Sequence, residues 1–235
     1  NIHFTLNSLQ IDGVSAYTSE DLDPVYRDKL GQEVSLAEVY GIAAALTRKY
    51  RNEGYLLSSV GVPHQTIEGG HVKLKVVEGF VDEIIIQGDV GENLKKQIMK
   101  YADNLRTDGI VDSEELQRYL LLMNDIPGLK VRGIIDEANR KVDGAVDLVI
   151  VAELDKYEGE VSLDNFGSRY LGPYQGKLTG SINSPFGGTE SITTQLVMAG
   201  DKNEADELLF GAVTYEQLLS RFGSKIQLQA GTTAT

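Results

Sequence analysis

The feature that most constrains the fold is an internal repeat of about 75 residues, which occupies residues 1–156. Three pairs of positions correspond between the two copies: Gly13 with Gly88, Gly54 with Gly128 and, approximately, Glu78 with Glu153. In both copies the hydrophobic pattern runs in the same order, from one strand through two helices to two strands. Because such repeats are copies of one supersecondary unit, we predict two similar modules with the order β-α-α-β-β.

The clearest element of the first module is its second helix. Ser35 is followed three residues later by Glu38, which is the spacing of a capping box at a helix N-terminus. Apolar residues then recur at intervals of three and four and predict one buried stripe: Leu36, Val39, Tyr40, Ala43, Leu46 and Tyr50. The pattern predicts a helix that ends near Gly54.

The other elements of the first module follow from alternation and from turn residues. Residues 2–12 alternate imperfectly and predict a single strand with a bulge near its middle. Residues 19–30 predict a short helix capped by Ser19. Residues 55–62 and 71–78 are strand candidates, and the polar, Gly-rich stretch between them predicts a hairpin.

The second module repeats this order. Its predicted elements are a strand at 80–87, a helix at 93–105, a helix from 113 to 124 capped by Ser113, and strands at 129–136 and 145–154. Only Gly79 separates the last strand of the first module from the first strand of the second. So short a junction predicts two modules that contact each other.

The pattern changes after residue 156. Five segments rich in Gly, Ser and Thr are strand candidates: 160–166, 175–183, 190–199, 208–218 and 225–231. Several of them alternate between one apolar and one polar face. This alternation fits the strands of a transmembrane β-barrel and equally a soluble antiparallel sheet with one solvated face, and periodicity alone leaves both open.

Composition excludes several classes of function. The net charge of −13 argues against a nucleic-acid partner, because phosphate neutralisation requires clustered Lys and Arg, and favours a protein or cell-surface partner. The absence of Cys excludes disulfides, thiol catalysis and thiolate-bound zinc. No run of about 18 apolar residues predicts a transmembrane helix.

No set of residues predicts catalysis or a cofactor. His64, Glu68 and His71 lie in or near the predicted turn and are interpreted as solvated surface rather than as a metal site. The acidic stretch 201–207 is interpreted as a solvated loop, with Ca²⁺ binding as the less favoured alternative. We find no nucleophile with a base and an orienting group, and we predict no enzyme, no cofactor and no metal site.

Particular residues resemble a known family. In the first module these are Tyr50, Glu53, Gly54, Tyr55, Val62, Pro63, Gln65, Val77, Glu78 and Gly79. In the second module the mark is LLLMNDIPG at 120–128, and in the tail it is Asp164, Asn165, Gly167, Ser168, Arg169 and Gly172. The chain is similar in these positions to the outer-membrane transporters of two-partner secretion, the TpsB type of the hemolysin secretion and activation family.

The resemblance implies an α+β chain with three parts. Residues 1–79 and 80–156 are expected to be two polypeptide-transport-associated (POTRA) domains in the periplasm. Residues 157–235 are expected to begin a transmembrane barrel of about 16 strands in the outer membrane. Because only five strands are predicted and the family's N-terminal plug helix is not recognised, the chain is expected to be truncated.

The implied function is protein translocation. The POTRA domains would receive an unfolded exoprotein of the hemolysin or adhesin class, here called the client, and pass it to the barrel, whose outer wall contacts lipid. The client would add as a strand to an exposed sheet edge. The residues assigned to this surface are Tyr50, Tyr55, Leu56, Leu57, Ser58, Ser59 and Val60, together with Leu129, Val131 and Gly133. Tyr50 and Tyr55 either line a groove beside the edge or complete the core.

Two alternatives remain at this point. A relative that assembles barrels in the outer membrane shares the same kind of modules but usually carries more of them. A soluble adhesin or scaffold, built from two α/β modules and a β-sandwich tail, belongs to another class and fits the same alternation in the tail.

Overall fold

The computed structural model describes residues 3–106, 109–166, 172–201, 204–220 and 222–234, and at 201 and 204–207 it describes the backbone alone. The chain divides into two compact units: unit 1 comprises residues 1–85, 104–118 and 134–149, and unit 2 comprises residues 86–103, 119–133 and 150–235. The boundaries predicted after residues 79 and 156 stay predictions. The names first module, second module and tail denote residues 1–79, 80–156 and 157–235 of this predicted division.

The first module is an α+β unit whose small sheet packs against a long helix. Its elements are β1 (His3–Thr5), β2 (Ser8–Asp12), α1 (Ser19–Leu22), β3 (Glu33–Ser35), α2 (Leu36–Asn52), β4 (Ser59–Gly61) and β5 (His71–Val77). The main sheet has the order β2-β5-β4, with β2 parallel and β4 antiparallel to β5. This pairing confirms the predicted hairpin. A separate sheet pairs β1 with β3.

Two predictions for the start of the chain are wrong. In place of the single strand predicted at 2–12, the described residues 3–12 contain two strands in different sheets, because Leu6 pairs with the segment before β3: the Leu6 N–H donates to Gln32 at 3.0 Å and the Leu6 carbonyl accepts from Gly31 at 2.8 Å. The helix predicted at 19–30 ends at Leu22 and continues as two 3₁₀ turns, Asp23–Val25 and Arg27–Lys29. The first of these turns contains Pro24, which has no N–H for an α-helical hydrogen bond.

The N-terminus of α1 also differs from the prediction. The capping residue is Thr18 rather than Ser19. The Asp21 carboxylate accepts two hydrogen bonds from Thr18, one from its N–H at 2.8 Å and one from its hydroxyl at 2.6 Å. These bonds fix the first turn of a helix that is too short to be stable alone.

Helix α2 supplies most of the core of the first module. The predicted capping box is confirmed: the Ser35 N–H donates to Glu38 at 2.8 Å, and the Glu38 N–H donates to the Ser35 hydroxyl at 3.3 Å. The buried stripe consists of Val39, Ile42, Ala43, Leu46 and Tyr50. Tyr40, which was predicted to join it, is 55% exposed, because it lies about 100° around the helix from Val39.

The second module has the same topology. Its elements are β6 (Phe80–Gln87), α3 (Glu92–Ala102), a 3₁₀ turn (Asp103–Leu105), α4 (Ser113–Asn124), β7 (Leu129–Glu137) and β8 (Ala145–Leu154), and its sheet has the order β6-β8-β7. The predicted bounds of β6 and β8 are confirmed. The predicted cap of α4 is wrong by one residue, because it is the Asp112 carboxylate that accepts the Glu114 N–H, at 2.8 Å.

Two glycines show that the sequence repeat corresponds to a repeat of backbone structure. Gly13 follows β2 with φ of 85°, and Gly88 follows β6 with φ of 120°. A Cβ atom on Gly13 would overlap the carbonyl oxygen of Val76 in β5, and one on Gly88 would overlap that of Ala152 in β8. Each module therefore needs glycine where the chain leaves its first strand and passes its central strand.

The predicted contact between the modules is confirmed at their junction. The Gly79 carbonyl accepts the Val111 N–H at 2.9 Å, and the Gly54 carbonyl accepts the Ser113 N–H at 3.0 Å. Lys75 and Asp143 add an exposed ion pair across the same boundary. Backbone groups thus join the end of the first module to the residues that precede and begin α4.

The tail is a five-stranded antiparallel sheet. Its strands are β9 (Tyr157–Asp164), β10 (Tyr174–Asn183), β11 (Glu190–Asp201), β12 (Glu204–Leu218) and β13 (Lys225–Ala234), in consecutive order. All five predicted strands are confirmed, several with longer bounds. Gly167, Ser168 and Arg169, part of the family mark in the tail, lie outside the described residues, as do the side chains of the acidic stretch 201–207.

The two faces of the tail differ in polarity. The register aligns one apolar residue from every strand in a single row: Tyr157, Ile182, Ile192, Tyr215 and Leu228. On the opposite face Ser181 lies opposite Thr193, with their hydroxyl oxygens 2.9 Å apart. The apolar face is exposed, with Val161 at 70% and Leu178 at 52%. Among the described residues, no helix combines the length and the apolar character needed to cross a membrane.

Candidate functional site

The predicted client-binding strand of the first module is shorter than expected. β4 lies at an edge of its sheet but contains only Ser59–Gly61. The prediction of a strand from residue 55 is wrong, because the chain leaves α2 in a turn in which the Ser58 N–H donates to the Tyr55 carbonyl at 3.1 Å. Gly54, with φ of 96°, starts this turn. A strand of three residues offers little backbone to a client.

The side chain of Thr47 also occupies an outward backbone group at this sheet edge, which makes the edge less accessible to a client. The Val60 N–H donates to the Thr47 hydroxyl at 3.0 Å, and that hydroxyl donates to the Ala43 carbonyl at 3.0 Å. Beyond the end of β4, the Gln65 side chain accepts the N–H of Lys73 and donates to its carbonyl, both at 2.8 Å. Gln65 thereby occupies the place on β5 that a longer β4 would take.

The two tyrosines assigned to a groove belong to an aromatic cluster. Tyr50 is completely buried, and its ring packs edge-on against Tyr17 at 4.8 Å and Tyr55 at 6.1 Å between centroids. Its hydroxyl donates to Glu78 at 2.8 Å. Burial and this hydrogen bond raise the pKa of Tyr50. The structure thus places Tyr50 in the core, and Tyr55 is half-buried beside it.

Glu78 is the polar centre of this cluster. Its carboxylate accepts the N–H groups of Ser15 at 2.9 Å and Ala16 at 3.0 Å, as well as the hydroxyls of Ser15 and Tyr50. Burial opposes ionisation, but these hydrogen bonds outweigh it and lower the pKa of Glu78. The carboxylate therefore stays charged and ties the loop after β2 to α2 and β5.

Few of the other predicted residues in the first module are available to a client. Ser58 is completely buried, and its hydroxyl accepts the Gly79 N–H at 3.3 Å. Val60 is buried and Leu57 is half-buried. Only Leu56, at 55% exposure, and Ser59 project into solvent. These side chains support the fold more than they form a surface.

The second module has a longer edge strand. β7 spans nine residues at one edge of its sheet. Its first part is closed, because the Asn124 side chain accepts the Val131 N–H at 2.8 Å and donates to the Val131 carbonyl at 3.1 Å. Leu129 and Val131 are buried. A side chain of α4 therefore bonds the outward backbone groups at the start of β7, just as Thr47 of α2 bonds the outward N–H in β4.

The remainder of β7 is open. Every residue from Gly133 to Glu137 is exposed, including Ile134 at 50% and Ile135 at 38%. Gly133 and Ile135 lie two and four positions after Val131, so their N–H and C=O groups face the same outward side of the strand. Within the described part of the chain, neither has a backbone partner outside its sheet. Of the predicted client-binding residues in β7, Gly133 alone lies in this open part.

The sequence analysis did not identify the side chains that bond the outward backbone groups of β4 and β7. Thr47 and Asn124 are polar residues on amphipathic helices, where solvated side chains are common, and no sequence pattern sets them apart. Gln65 was used only as a mark of the family. Among the described residues, no three potential metal ligands cluster, and His71 shares a hydrogen bond of 2.7 Å with Ser8.

The first module matches a family model throughout its sheet and helices. The model describes a POTRA domain of the ShlB type and covers residues 4–79. Residues 4–79 are a ShlB-type POTRA domain. The marks quoted from the sequence, from Tyr50 to Gly79, lie within this POTRA domain, and Glu78 holds its loop, helix and sheet together.

Whole-chain comparisons extend the likeness beyond the POTRA domain. The chain is 26% identical over 212 residues to the heme/hemopexin transporter protein HuxB of Haemophilus influenzae, covering 90% of the chain and 37% of HuxB. It is 24% identical over 186 residues to the outer membrane transporter CdiB of Escherichia coli, covering 78% of the chain and 31% of CdiB. These matches confirm the predicted resemblance to two-partner secretion transporters. The chain spans about a third of the length of these relatives.

Solved structures support the predicted fold class. The structure of CdiB from Escherichia coli superposes with a TM-score of 0.67 at 18% identity, covering 98% of this chain and 46% of CdiB. BamA from Haemophilus ducreyi, in a form lacking POTRA domains 1–3, superposes with a TM-score of 0.54 at 12% identity, covering 98% of this chain and 43% of that one. The chain is an α+β protein in which a POTRA domain and a POTRA-like second module precede antiparallel strands that match the barrel part of these structures.

Proposed function

We propose that this chain receives an unfolded client in the periplasm and begins the barrel of an outer-membrane transporter. The POTRA domain and the second module bind the client, and the tail supplies barrel strands whose apolar face contacts lipid. Support comes from the transporters named above and from the register of the tail, which puts apolar residues on one face and polar residues on the other.

The observation that carries the binding mechanism is the open half of β7. By alternation from Val131, Gly133 and Ile135 direct their N–H and C=O groups outward, and in the described chain these groups make no backbone hydrogen bond outside their sheet. An edge of this kind pairs with an extended peptide through main-chain hydrogen bonds, which bind many sequences. The exposed side chains of Ile134 and Ile135 add apolar contact on the two faces of the strand.

The contrast with β4 makes β7 the main site. At β4 the outward N–H of Val60 is bonded to Thr47, and β5 beyond it is bonded to Gln65. A client would have to displace these side chains before it could pair there. At β7, as far as the described residues show, only Val131 has its outward groups bonded to a helix side chain. The proposed surface is therefore Gly133 to Glu137, with Leu56 and Ser59 of the POTRA domain as secondary contacts.

The partner follows from the mechanism and from the relatives. A surface that recognises backbone suits an unfolded secreted protein, which we propose belongs to the hemolysin or adhesin class. Because a transporter must also release its client, we expect dissociation constants in the micromolar range or weaker, on the order of −8 kcal/mol or less favourable. Lipid is the second partner, at the apolar face of the tail.

A proline substitution in the open half of β7 tests the site. Ile135→Pro removes one N–H that, by alternation from Val131, points away from the sheet, and proline is tolerated at such a position of an edge strand. Ile135→Thr is the matched control, because it keeps the N–H and shortens the apolar side chain. With reduced, carboxymethylated α-lactalbumin as the unfolded probe, we expect Ile135→Pro to weaken binding about tenfold and Ile135→Thr to weaken it about twofold.

Circular dichroism and thermal melting verify that both variants are folded. Equal affinity of Ile135→Pro and the unsubstituted chain would contradict pairing at β7. Cell fractionation tests the location separately: native full-length protein that remains in the soluble fraction without detergent, and is absent from outer membranes, would contradict the transporter assignment.

A further inference from the structure

The residues between the second module and the tail form a compact junction. Only Asp155 and Lys156 separate β8 from β9. The Asp155 N–H donates to the Gly128 carbonyl at 2.8 Å, and the Asp155 carboxylate pairs with Lys130 at 2.6 Å. These contacts connect the junction to the start of β7. Because domains joined by small interfaces ordinarily move relative to each other, further bonds are needed to hold such a junction in one geometry.

Asn183, the last residue of β10, supplies two such bonds. It is 2% exposed. Its N–H donates to the Lys156 carbonyl and its side-chain amide donates to the Asp155 carbonyl, both at 2.9 Å. Because a buried donor without a partner is costly, these bonds also fix where Asn183 lies. Asn183 therefore ties the end of β10 to both residues that connect the second module to the tail.

Gly128 lies directly against Asn183. A Cβ atom on Gly128 would overlap the side-chain nitrogen of Asn183 and the carbonyl oxygen of Asp155. The φ of Gly128 is 72°, which also disfavours a side chain. Gly128 is the last residue of the family mark LLLMNDIPG. The close approach gives this glycine a physical role, because it lets Asn183 reach the residue that precedes β7.

The turn that follows Asn183 is held by its own hydrogen bonds. Ser184 has a φ of 50°, and among the described residues it is the one non-glycine residue with a positive φ. Its N–H donates to the Glu190 carbonyl at 2.7 Å. The buried Glu190 carboxylate accepts the N–H groups of Phe186 at 2.8 Å and Gly188 at 3.1 Å. Since a strained residue persists only where its surroundings hold it, this turn keeps Asn183 directed at the junction.

A second contact to the tail lies between β12 and β13. Tyr101, which is 4% exposed near the end of α3, donates its hydroxyl to the Ser220 carbonyl at 3.1 Å. Thr189 connects this segment to the turn after β10, because its hydroxyl donates to the Leu218 carbonyl at 2.9 Å. A single bonded turn would permit rotation about it, whereas contacts at two connected turns oppose that rotation.

We propose that Asn183 is a positioning residue, which together with Gly128 and Tyr101 fixes the start of β7 on the first turns of the tail. This inference rests on the proposed function, in which β7 binds the client and the tail begins the barrel. The start of the client-binding strand then keeps one orientation to the tail strands while clients bind and leave. Asn183 does not contact the client and acts through Gly128.

The absence of cysteine permits a direct test with spin labels. Lys96→Cys on α3 and Glu160→Cys on β9, both at exposed positions, carry the labels in the full chain in detergent micelles. Double electron-electron resonance measures the distribution of distances between the labels. The test variant combines Asn183→Asp, which keeps the shape of the side chain but loses its donor, with Tyr101→Phe. We expect a narrow distribution in the unsubstituted chain and one at least about twofold wider in the test variant.

The matched control removes the same two kinds of donor outside the junction. Asn7→Asp removes an amide that donates to the Gly69 carbonyl at 2.9 Å in the POTRA domain, and Tyr40→Phe removes an exposed hydroxyl. We expect the control to leave the distribution unchanged and circular dichroism to be the same in all variants. A distribution that stays narrow in the test variant, or that widens equally in the control, would overturn the positioning role.

Probe binding separates this inference from the proposed function. Because residues 133–137 are unchanged, we expect the test variant to bind carboxymethylated α-lactalbumin within about twofold of the affinity of the unsubstituted chain. A loss as large as that expected for Ile135→Pro would place Asn183 in binding rather than positioning and overturn the inference. Unchanged affinity in Ile135→Pro, with a wider distribution in the test variant, would contradict the client site at β7 and support the fixed junction.

Discussion

The hydroxyl of Tyr50 donates a 2.8 Å hydrogen bond to the carboxylate of Glu78 inside the POTRA domain. Tyr50 ends the buried stripe of α2, and Glu78 follows β5. The same carboxylate accepts the N–H groups of Ser15 and Ala16 after β2. One ionised side chain therefore holds together three segments that lie far apart in sequence.

Acid should destabilise the POTRA domain through Glu78. Its pKa lies below the ordinary value of 4.5 in the folded chain, so its stabilising contribution is complete above that pH and is lost as the pH falls further. Glu78→Gln removes this titration. We expect the free energy of unfolding in urea to fall less between pH 5 and pH 3 in Glu78→Gln than in the unsubstituted chain.

Tyr50→Phe is the companion variant for this prediction. It keeps the ring packing and the charge but removes one donor, and we expect a loss of about 1 to 2 kcal/mol at pH 7. Other carboxylates, such as Glu38, whose pKa is lowered to about 2, titrate in all variants alike. Identical pH slopes in Glu78→Gln and the unsubstituted chain would rule out the role assigned to Glu78.

Gly13 and Gly88 should be equally intolerant of a side chain. Gly13→Ala and Gly88→Ala each add a Cβ that overlaps a carbonyl of the central strand, at a positive φ. We expect each to cost on the order of 3 kcal/mol or to prevent folding of its module. Gly31→Ala is the matched control: its φ is 76°, but nothing lies within 4 Å of the added Cβ. We expect it to cost about 1 kcal/mol in urea unfolding.

A cost for Gly31→Ala as large as that for Gly13→Ala would show that φ alone, and not the close approach to Val76, determines the effect. A mild effect at Gly88 with a severe one at Gly13 would show that the repeat does not extend to this position.

The side chains that close the two edges should contribute to stability. Asn124→Leu leaves the N–H and C=O of Val131 without partners, and Val131 is only 7% exposed. We expect a loss of about 1 to 3 kcal/mol, measured by urea unfolding. Gln117→Leu on the exposed face of the same helix is the control and should change stability by less than about 0.5 kcal/mol.

Thr47→Val tests the first edge in the same way. It preserves the shape of the side chain but removes the acceptor for the Val60 N–H, whereas Thr47→Ser keeps the hydroxyl. We expect Thr47→Val to lose about 1 kcal/mol more than Thr47→Ser. Faster hydrogen exchange of the Val60 amide in Thr47→Val alone would locate the effect, and unchanged exchange would contradict it.

The faces of the tail can be distinguished with tryptophan, which the chain lacks. Leu178 and Thr179 are neighbours on β10 and face opposite sides of the sheet. In vesicles containing brominated lipid, we expect Leu178→Trp to be quenched at least about twofold more than Thr179→Trp, because under the proposed function only the apolar face contacts lipid. Equal quenching at the two positions would contradict the assignment of the faces.

Local patterns in the sequence were sufficient to predict most of the helices and strands. The capping box of Ser35 and Glu38, the β6 and β8 bounds and the order of the tail strands depend on neighbours within a few residues, where periodicity reports burial directly. The predictions for residues 2–12 and 19–30 failed because Leu6 takes its partners from residues 31 and 32, and because Pro24 interrupts the helix.

The sequence by itself determined the repeated α+β module, its helices and strands, and the two-faced tail. Only the tertiary structure decided which strand edges are open. Side chains from helices bond the outward backbone groups of Val60 and Val131, whereas in the described part of the chain no such bond is made at Gly133 and Ile135. The physical reason is that periodicity encodes which face of an element is buried, while the partner of each backbone group depends on residues distant in the chain.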